Sequence, residues 1–296
     1  MKYFLILSVF LSEFSDLIAQ DTTRYWKRSV TTTLNFSQVS LTNWVGGGQS
    51  SVSLTGLVNG FANYSKKKFS WTNSIDLGYG LVKIGQHTAF RKSDDKIIFT
   101  TKAGHQMHKH LKLSVLLDFR TQFAPGYKYS NDSLGKEHRA LISRFLAPAY
   151  LLTAIGVEYD PTENIYFFVS PLTIKNTIVM KDSLSNAGAF GVPPGRYVRN
   201  EFGAYFATKG KFKIMENITF QTSLNLFSNY QYFGVIDVNW DAILLMKVNK
   251  YINVSVSTNL FYDQDIQITR KDQTVGPAVQ FKEVLALGFA YTVKQK

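Results

Sequence analysis

The side chains with the greatest capacity for chemistry in this chain are polar groups that recur at every second position. Asp237, Asn239 and Asp241 follow this spacing, with Val238 and Trp240 between them. A period of two places such residues on one face of a β-strand. Their oxygens are suitable ligands for a hard cation such as Ca²⁺, but no EF-hand spacing accompanies them. The pattern therefore favours a wet face on which the carboxylates pair with basic side chains.

Strands that could carry such a face recur along the whole chain. Residues 34–54, LNFSQVSLTNWVGGGQSSVSL, hold two alternating runs around a glycine-rich loop, which is the pattern of a β-hairpin. The remainder of the 296-residue chain repeats this unit, and no other element recurs. The alternation predicts strands at 26–41, 50–64, 69–83, 96–107, 110–123, 148–159, 164–181, 197–213, 218–230, 234–248, 252–262 and 279–293. Twelve strands is the prediction, and ten or fourteen remain alternatives.

The composition favours a membrane environment for these strands. The chain has 23 Phe, 16 Tyr and 4 Trp, but no segment of about 20 mainly apolar residues that would form a transmembrane helix. A transmembrane barrel shows this combination, with aromatic girdles at both interfaces and outward apolar residues alternating with inward polar ones. A soluble sandwich shares the alternation, but its exterior would carry more charge. We therefore predict an all-β fold, a single antiparallel transmembrane β-barrel with up-and-down topology.

Closure and connection lengths complete the predicted architecture. An unpaired strand edge cannot face hydrocarbon, so the first strand must pair with the last. Short turns follow the even-numbered strands and most of the longer connections follow odd-numbered ones, as in outer-membrane barrels with short periplasmic turns. Residues 160–163, Asp-Pro-Thr-Glu, predict a type I turn. Pro171 predicts a bulge inside the seventh strand.

The N-terminus and the charge indicate the compartment. Lys2, an apolar run at 3–11 and Ala19 predict a signal peptide at residues 1–19, which leaves 20–296 as the barrel domain. The expected location is the outer membrane of a Gram-negative bacterium. There the partners would be outer-membrane lipid and lipopolysaccharide, with the barrel-assembly machinery during biogenesis. A net charge of +12 would suit a protein that binds nucleic acid, but we expect no nucleic-acid partner for an exported chain.

The candidate functional residues are the polar side chains on the predicted lumen faces. The basic residues among them, Lys112, Arg120, Lys209 and Lys282, are the expected partners of the carboxylates. These carboxylates include Asp263 and Asp265 at the start of the last long loop. Mixed charge of this kind either closes a lumen through ion pairs or tunes a pore. The candidate lumen residues are Asp76, Lys112, Asp118, Arg120, Lys209, Asp237, Asn239, Asp241 and Lys282.

No pattern in the sequence indicates a catalytic or cofactor site. His108 and His110 fall on a predicted turn, and His105 shares a strand face with Thr101 and Ala103. An outer-membrane phospholipase is also a twelve-stranded barrel, but its His-x-Ser pair has no counterpart here, and a serine without a base is not activated. The triplet at 46–48 lacks the Lys-Ser/Thr of a phosphate-binding loop. We therefore expect no catalytic residue, bound metal or cofactor.

Several segments together resemble an uncharacterised family of outer-membrane barrels from Bacteroidota, catalogued as a domain of unknown function. The segments are residues 34–53, 142–159 (ISRFLAPAYLLTAIGVEY), 169–179 (VSPLTIKNTIV) and 236–266 (IDVNWDAILLMKVNKYINVSVSTNLFYDQDI). The resemblance implies a single barrel domain in the outer membrane, without an assigned activity or catalytic residues.

The leading hypothesis is a passive channel or a structural or partner-binding barrel. One alternative is a transporter of a hydrophobic ligand, which would need an apolar patch in the lumen and a plug. The other is an enzyme that acts on membrane lipid or surface glycan.

Overall fold

The fold is a closed antiparallel β-barrel of twelve strands, as the alternation predicts. The computed structural model describes residues 25–40, 49–85, 88–270 and 274–295. The barrel consists of β1–β5, β8–β13 and β16, and the other strands lie outside it. In chain order the strands are β1 (Trp26–Val39), β2 (Ser51–Lys66), β3 (Phe69–Ile84), β4 (Arg91–His108), β5 (Leu111–Thr121), β6 (Gly126–Asn131), β7 (Glu137–Ser143), β8 (Ala149–Thr162), β9 (Ile165–Ile178), β10 (Val198–Met215), β11 (Ile218–Asn229), β12 (Asp237–Lys247), β13 (Ile252–Tyr262), β14 (Ile268–Thr269), β15 (Val275–Gly276) and β16 (Gln280–Gln295).

The barrel closes by pairing its first strand with its last. β1 and β16 are antiparallel, in a register that runs from Arg28 opposite Gln295 to Phe36 opposite Leu287. This closure confirms the pairing predicted from the cost of an open edge in lipid. β1 also pairs with β2, where Phe36 lies opposite Leu54, so the two flanks of the hairpin at 34–54 are joined as predicted. Its glycine triplet, the signal peptide at 1–19 and His87 lie outside the described residues.

The two ends of the barrel differ in their connections. At one end, called here the short-turn end, β2, β4, β8, β10 and β12 are each joined to the next barrel strand by a few residues. The opposite end, the long-loop end, carries the connections after β5, β9 and β13. The turn predicted at 160–163 was wrong, because β8 continues to Thr162 and the turn residues are Glu163 and Asn164. A register irregularity between Tyr159 and Thr162 carries the strand past Pro161.

The outward face of the barrel is apolar and has an aromatic belt at the short-turn end. Trp26 packs edge-on against Trp71, with ring centroids 5.8 Å apart, and lies 5.2 Å from the ring of Tyr64. Farther round the belt, Tyr251 stacks on Phe289. Large apolar side chains in the middle of the strands are also exposed, as suits a surface that faces hydrocarbon. They include Val30, Leu34, Ile75, Val115, Ile155, Val169, Phe202, Leu285 and Leu287.

Part of the barrel interior is filled by inward side chains, and we call this part the packed sector. It is formed by β5 and β8–β11, and Phe168 at its centre has no exposed surface. The bulge predicted at Pro171 is present, because the register between β8 and β9 shifts between Ile155 and Val157. Gly156 lies opposite this bulge, where a Cβ atom would overlap the carbonyl oxygen of Val169. The buried members of the packed sector are Leu116, Ala154, Phe168, Tyr205, Ala207 and Phe227.

The long-loop end carries more regular structure than the sequence predicts. Residues 125–144, which lie between two predicted strands, contain the β6–β7 hairpin, and residues 182–196, between the next two, contain a short helix, α1 (Asp182–Asn186). Two 3₁₀ turns follow, at Ala189–Gly191 and Tyr230–Tyr232. The Tyr197 hydroxyl donates a hydrogen bond to Asp182, which raises the pKa of Tyr197. None of the helices in the described ranges is long and apolar enough to cross a membrane.

Candidate functional site: the barrel lumen

A cavity of about 1490 Å³ lies inside the barrel beside the packed sector. Glu163 and Asn164 border it at the short-turn end. Ser93 and Lys282, near the first residues of β4 and β16, border it toward the long-loop end. The cavity therefore runs along most of the barrel axis, against the walls formed by β1–β4, β12, β13 and β16. We call these walls the open sector.

Most of the candidate lumen residues predicted from the sequence border this cavity. The two that do not are Asp118 and Asp237, which instead contact other inward side chains. Asp118 accepts hydrogen bonds from Thr100 (2.7 Å) and Arg120 (2.5 Å), and Asp237 accepts one from Lys175 (2.5 Å). The residues that border the cavity are Asp76, Lys112, Arg120, Lys209, Asn239, Asp241 and Lys282.

Three of the predicted residues lie in one row across the strands, called here the lumen row. Lys209 of β10 pairs with Ser223 of β11, which pairs with Asp241 of β12. The row continues through Asn259 of β13 to Lys282 of β16. Neighbouring side chains on one face of a sheet interact directly. Here the Asn259 amide donates to Asp241 (2.8 Å), so a carboxylate lies between two lysines at the cavity wall.

A second row crosses the opposite wall and is less charged. Arg120 pairs in register with Ile98, and Ile98 with Asp76. The row then passes through Asn59 to Thr31, and the Asn59 amide donates to the Asp76 carboxylate at 2.5 Å. Because the Asn59 amide carries no charge, it does not offset the negative charge of Asp76 as a basic partner in an ion pair would.

Paired charges narrow the cavity near the short-turn end, in a group called here the short-turn cluster. It consists of Lys102, Lys112, Glu158 and Asp160. Glu158 contacts both lysines, with N–O distances of 2.6 Å to Lys102 and 3.1 Å to Lys112. Lys112 also contacts Asp160 at 2.6 Å. Because hydrogen-bonded ions of opposite sign hold one another in place, this cluster forms a fixed, nearly neutral wall.

A second ionic group, the long-loop cluster, lies beneath the connections at the other end. Lys175 of β9 contacts Asp237 at 2.5 Å and Asp263 at 2.9 Å, so it joins β9 to β12 and to the residue that follows β13. Arg199 contacts Glu201 at 2.8 Å and Asp265 at 2.5 Å. The sequence-based expectation that Asp237, Asp263 and Asp265 would pair with Lys112, Arg120, Lys209 or Lys282 was wrong. They pair with Lys175 and Arg199.

Sequence reasoning missed five charged residues that point into the barrel, and the reasons differ among them. Lys102 and Glu158 follow the ordinary alternation of β4 and β8, so the same rule that found Lys112 would have found them. Asp160 was assigned to a turn. Lys175 lies beyond the bulge at Pro171, where the inward positions change from even to odd numbers, and no uninterrupted period of two predicts its direction. Glu201 lies beside Lys175 at 3.7 Å.

The histidines take the places expected of structural residues. His110 lies in the turn between β4 and β5, where its Nδ1 is 2.9 Å from the carbonyl oxygen of Asp160. His105 lies on the face of β4 that holds Thr101, whose hydroxyl accepts a hydrogen bond from the outward Trp71. Within the described ranges, no three His, Asp or Glu side chains are grouped in a way that could hold a metal ion.

Comparisons with solved structures return bacterial outer-membrane barrels. The translocator domain of the autotransporter NalP from Neisseria meningitidis matches at 9% identity and a TM-score of 0.39, covering 98% of this chain and 95% of that one. An outer membrane channel from Pseudomonas putida F1 matches at 11% identity and 0.38, covering 95% and 98%. The Pseudomonas putida toluene transporter TodX matches at 6% identity and 0.34, covering 92% and 89%. Similarity at this level gives no information about a shared solute.

Comparisons at the level of sequence give one match. Residues 36–127 match the profile of a family described as "Protein of unknown function (DUF3078)". This segment extends from β1 to β6, so it covers the first half of the open sector and the start of the packed sector. No curated protein sequence matches the chain.

Proposed function

We propose that the protein is a narrow passive channel for small polar solutes in the outer membrane of a Gram-negative bacterium. The observation that carries the proposal is the cavity in the open sector, which runs along most of the barrel axis and is bordered largely by polar side chains. A channel needs such a continuous path, and its lining decides what passes. Export through the predicted signal peptide at 1–19, an affiliation with barrels of Bacteroidota, and contacts with lipopolysaccharide and the barrel-assembly machinery belong to the same proposal.

The lining predicts weak selectivity between cations and anions. Seven carboxylates and seven lysine or arginine side chains border the cavity, and many of them pair with each other. Fixed charge of one sign attracts ions of the other, and balanced charge removes that preference. The acidic members are Asp76, Asp94, Asp95, Glu158, Asp160, Glu163 and Asp241, and the basic ones are Lys96, Lys102, Lys112, Arg120, Lys209, Lys211 and Lys282.

Planar-bilayer recordings test the proposal directly. We expect small, ohmic conductance steps from the purified barrel in KCl. Ser257 borders the cavity, and Val256 is its neighbour on the opposite face of β13. Ser257→Trp should lower the unit conductance at least about two-fold, because a bulky ring occupies part of the path, whereas Val256→Trp should not.

Gel migration is the control for folding of the two tryptophan variants. Both variants should migrate faster unheated than after boiling, which shows that they fold. A folded, inserted and electrically silent protein would contradict the channel and support a structural or partner-binding barrel. Equal conductance of the two tryptophan variants would show that the ions do not pass through the open sector.

The enzyme alternative has its own test. Asp237, Asp241 and His105 are the residues to replace, because they are the carboxylate and imidazole groups considered from the sequence. Lipid or glycan hydrolysis that is present in the wild type and lost in one of these variants would establish the enzyme. We expect no hydrolysis above background in any of them.

A further inference from the structure

The seam between β1 and β16 is paired over nine positions and stops short of the long-loop end. Its register ends where Phe36 lies opposite Leu287. Continued by one step, the same register would place Ser37 opposite Ala286, and three steps farther it would place Ser40 opposite Glu283. These eight positions are all described, and none of the four pairs forms. The wall therefore separates here, toward the long-loop end.

Both strands remain in the sheet on their other sides. β1 keeps its pairing with β2 as far as Val39 opposite Ser51. β16 keeps its pairing with β13 as far as Gln280 opposite Phe261. The separation is therefore a gap between two ordered strands rather than the fraying of either one. We call residues 36–40 of β1 and 280–286 of β16 the two lips of this gap.

Solvent exposure changes at the same place on both lips. Around the point where the pairing stops, exposed and buried positions of β16 alternate, with Leu287 exposed and Gly288 buried, and farther along the paired stretch Tyr291 to Lys294 are all exposed. From 280 to 285 every residue is exposed, and so is every residue from 36 to 40. At these positions of the lips, the inward as well as the outward side chains are therefore open to solvent.

The gap connects the lumen to the lipid-facing surface. Phe36 and Ser37 on one lip and Leu285 and Ala286 on the other border the interior cavity. Phe36 and Leu285 also belong to the outward apolar face, where they are 51% and 70% exposed. Backbone without a partner is tolerated at membrane depth where it lines a water-filled cavity, and a lip beside this cavity meets that condition.

The lips carry charge as well as apolar surface. On the outward face of β16, Glu283 lies between Phe281 and Leu285, and all three positions belong to the lip. An ionisable residue on a lipid-facing position is a marker of function, because lipid alone disfavours it. On the inward face, the Lys282 ammonium contacts Asp94 of β4 at 2.7 Å, across the cavity from its own strand.

We propose that this gap is a lateral portal through which an amphipathic molecule with a single hydrocarbon chain moves between the lumen and the bilayer. The chain would lie against Phe36 and Leu285, and the polar head against the lip backbone, Lys282 and Glu283. The proposal rests on the proposed function in one respect, because it needs a lumen that solutes can enter. It adds to the channel an exit into the bilayer and amphipathic molecules as a substrate class, neither of which a polar lumen alone suggests.

Cysteine cross-linking tests the gap itself, and the chain has no natural cysteine to interfere. Thr33→Cys with Ala290→Cys joins positions that pair in the closed half of the seam. Val39→Cys with Val284→Cys joins positions that the same register would place opposite each other in the open half. With copper-phenanthroline in intact membranes, the first pair should form a disulfide at least about ten-fold faster than the second, because bonding requires Cα atoms within about 7 Å. Equal rates would overturn the portal.

Current block by decanoate tests the substrate class. Sodium decanoate on the long-loop side should interrupt single-channel currents, and acetate at the same concentration, with the same head and no chain, should not. Bridging Val39→Cys and Val284→Cys with a bifunctional thiol reagent should reduce the frequency of block about five-fold or more relative to the same variant before bridging, and by more than it changes the KCl conductance. Block that is unaffected by the bridge, or absent with decanoate, would overturn the portal as a route for amphiphiles.

The two proposals fail in different ways. If the wild type conducts no current, the channel fails while the cross-linking rates still report on the gap. If the current is present and both cysteine pairs react equally, the channel stands and the portal fails.

Discussion

The packed sector and the open sector are built from the same alternating strand, but their interiors are opposites. In the packed sector the inward positions hold Phe168, Tyr205 and Phe227, which fill the barrel with aromatic rings. In the open sector the inward positions hold smaller or polar groups such as Ser257 and Asn259, and a cavity remains. A period of two sets which residues point inward, and the size of those residues sets whether a barrel has a core or a path.

The difference extends to the wall itself. The packed sector is sealed around its bulge, because Ser170 at the bulge is fully buried and its hydroxyl donates to the carbonyl oxygen of Ile155. The open sector contains the seam, where Ser37 and Ala286 do not pair with each other although each keeps its partner on the other side. We infer that the packed sector supplies most of the stability of the barrel, and that the open sector is free to serve transport.

The largest test of this division uses two inward phenylalanines. Phe168 of the packed sector is completely buried, whereas Phe61, which points into the open sector, is 45% exposed. Phe168→Ala should cost about 3–5 kcal/mol of unfolding free energy, because it removes a buried ring and leaves a cavity. Phe61→Ala should cost much less. Urea unfolding in lipid vesicles, followed by the gel shift of the folded barrel, measures both.

Equal losses from the two alanine variants would contradict the division, since they would show that both sectors contribute alike. The unit conductance of Phe168→Ala, where the variant still folds, provides a second readout. It should stay close to that of the wild type, because Phe168 does not itself border the path.

A smaller test adds a methyl group instead of removing a ring. Gly156→Ala would bring a Cβ against the Val169 backbone, whereas a Cβ at Gly56 of β2 has no atom within 4 Å. Backbone cannot move aside as a flexible side chain can, so Gly156→Ala should destabilise the barrel by about 1–3 kcal/mol. Gly56→Ala should change stability by no more than about 1 kcal/mol, because alanine suits a strand interior at least as well as glycine. The same unfolding assay applies, and a neutral Gly156→Ala would mean that the bulge is not tightly packed.

The sequence predicts the barrel well because its evidence is local and repeated. Each strand shows its own alternation, and closure follows from the exclusion of open edges from lipid. The predicted pairing of the first and last strands and the bulge at Pro171 are both confirmed. The turn at 160–163 failed because Pro161 suits a type I turn locally, while the pairing of β8 with β9 extends the strand beyond it.

The candidate site was harder to predict because its partners come from distant strands. Lys175 meets Asp263, 88 residues away, and nothing in the local pattern of β9 specifies that contact. The direction of Lys175 itself depends on the bulge, which reverses the alternation. The position of the gap depends on how β1 and β16, from the two ends of the chain, pair with each other. The alternation within each strand does not specify where that pairing stops.

The smallest expected effect compares a carboxylate in each sector. Asp241 borders the cavity, whereas Glu201 of the packed sector is buried beside Lys175 and Arg199 and does not border it. Asp241→Asn keeps the size of the side chain and removes the negative charge of the lumen row, which then holds the two lysines Lys209 and Lys282. The ratio of K⁺ to Cl⁻ permeability should therefore shift toward the anion, by at most about five-fold, since a unit charge 4 Å from an ion in water contributes about 1 kcal/mol.

The control variant, Glu201→Gln, should leave this permeability ratio unchanged in channels that fold. The charge of Glu201 is offset by Lys175 and Arg199, so it has little effect on ions in the path. Reversal potentials in a KCl gradient measure both variants, and a larger shift from Glu201→Gln would mean that ions pass through the long-loop cluster and that the two sectors share one path.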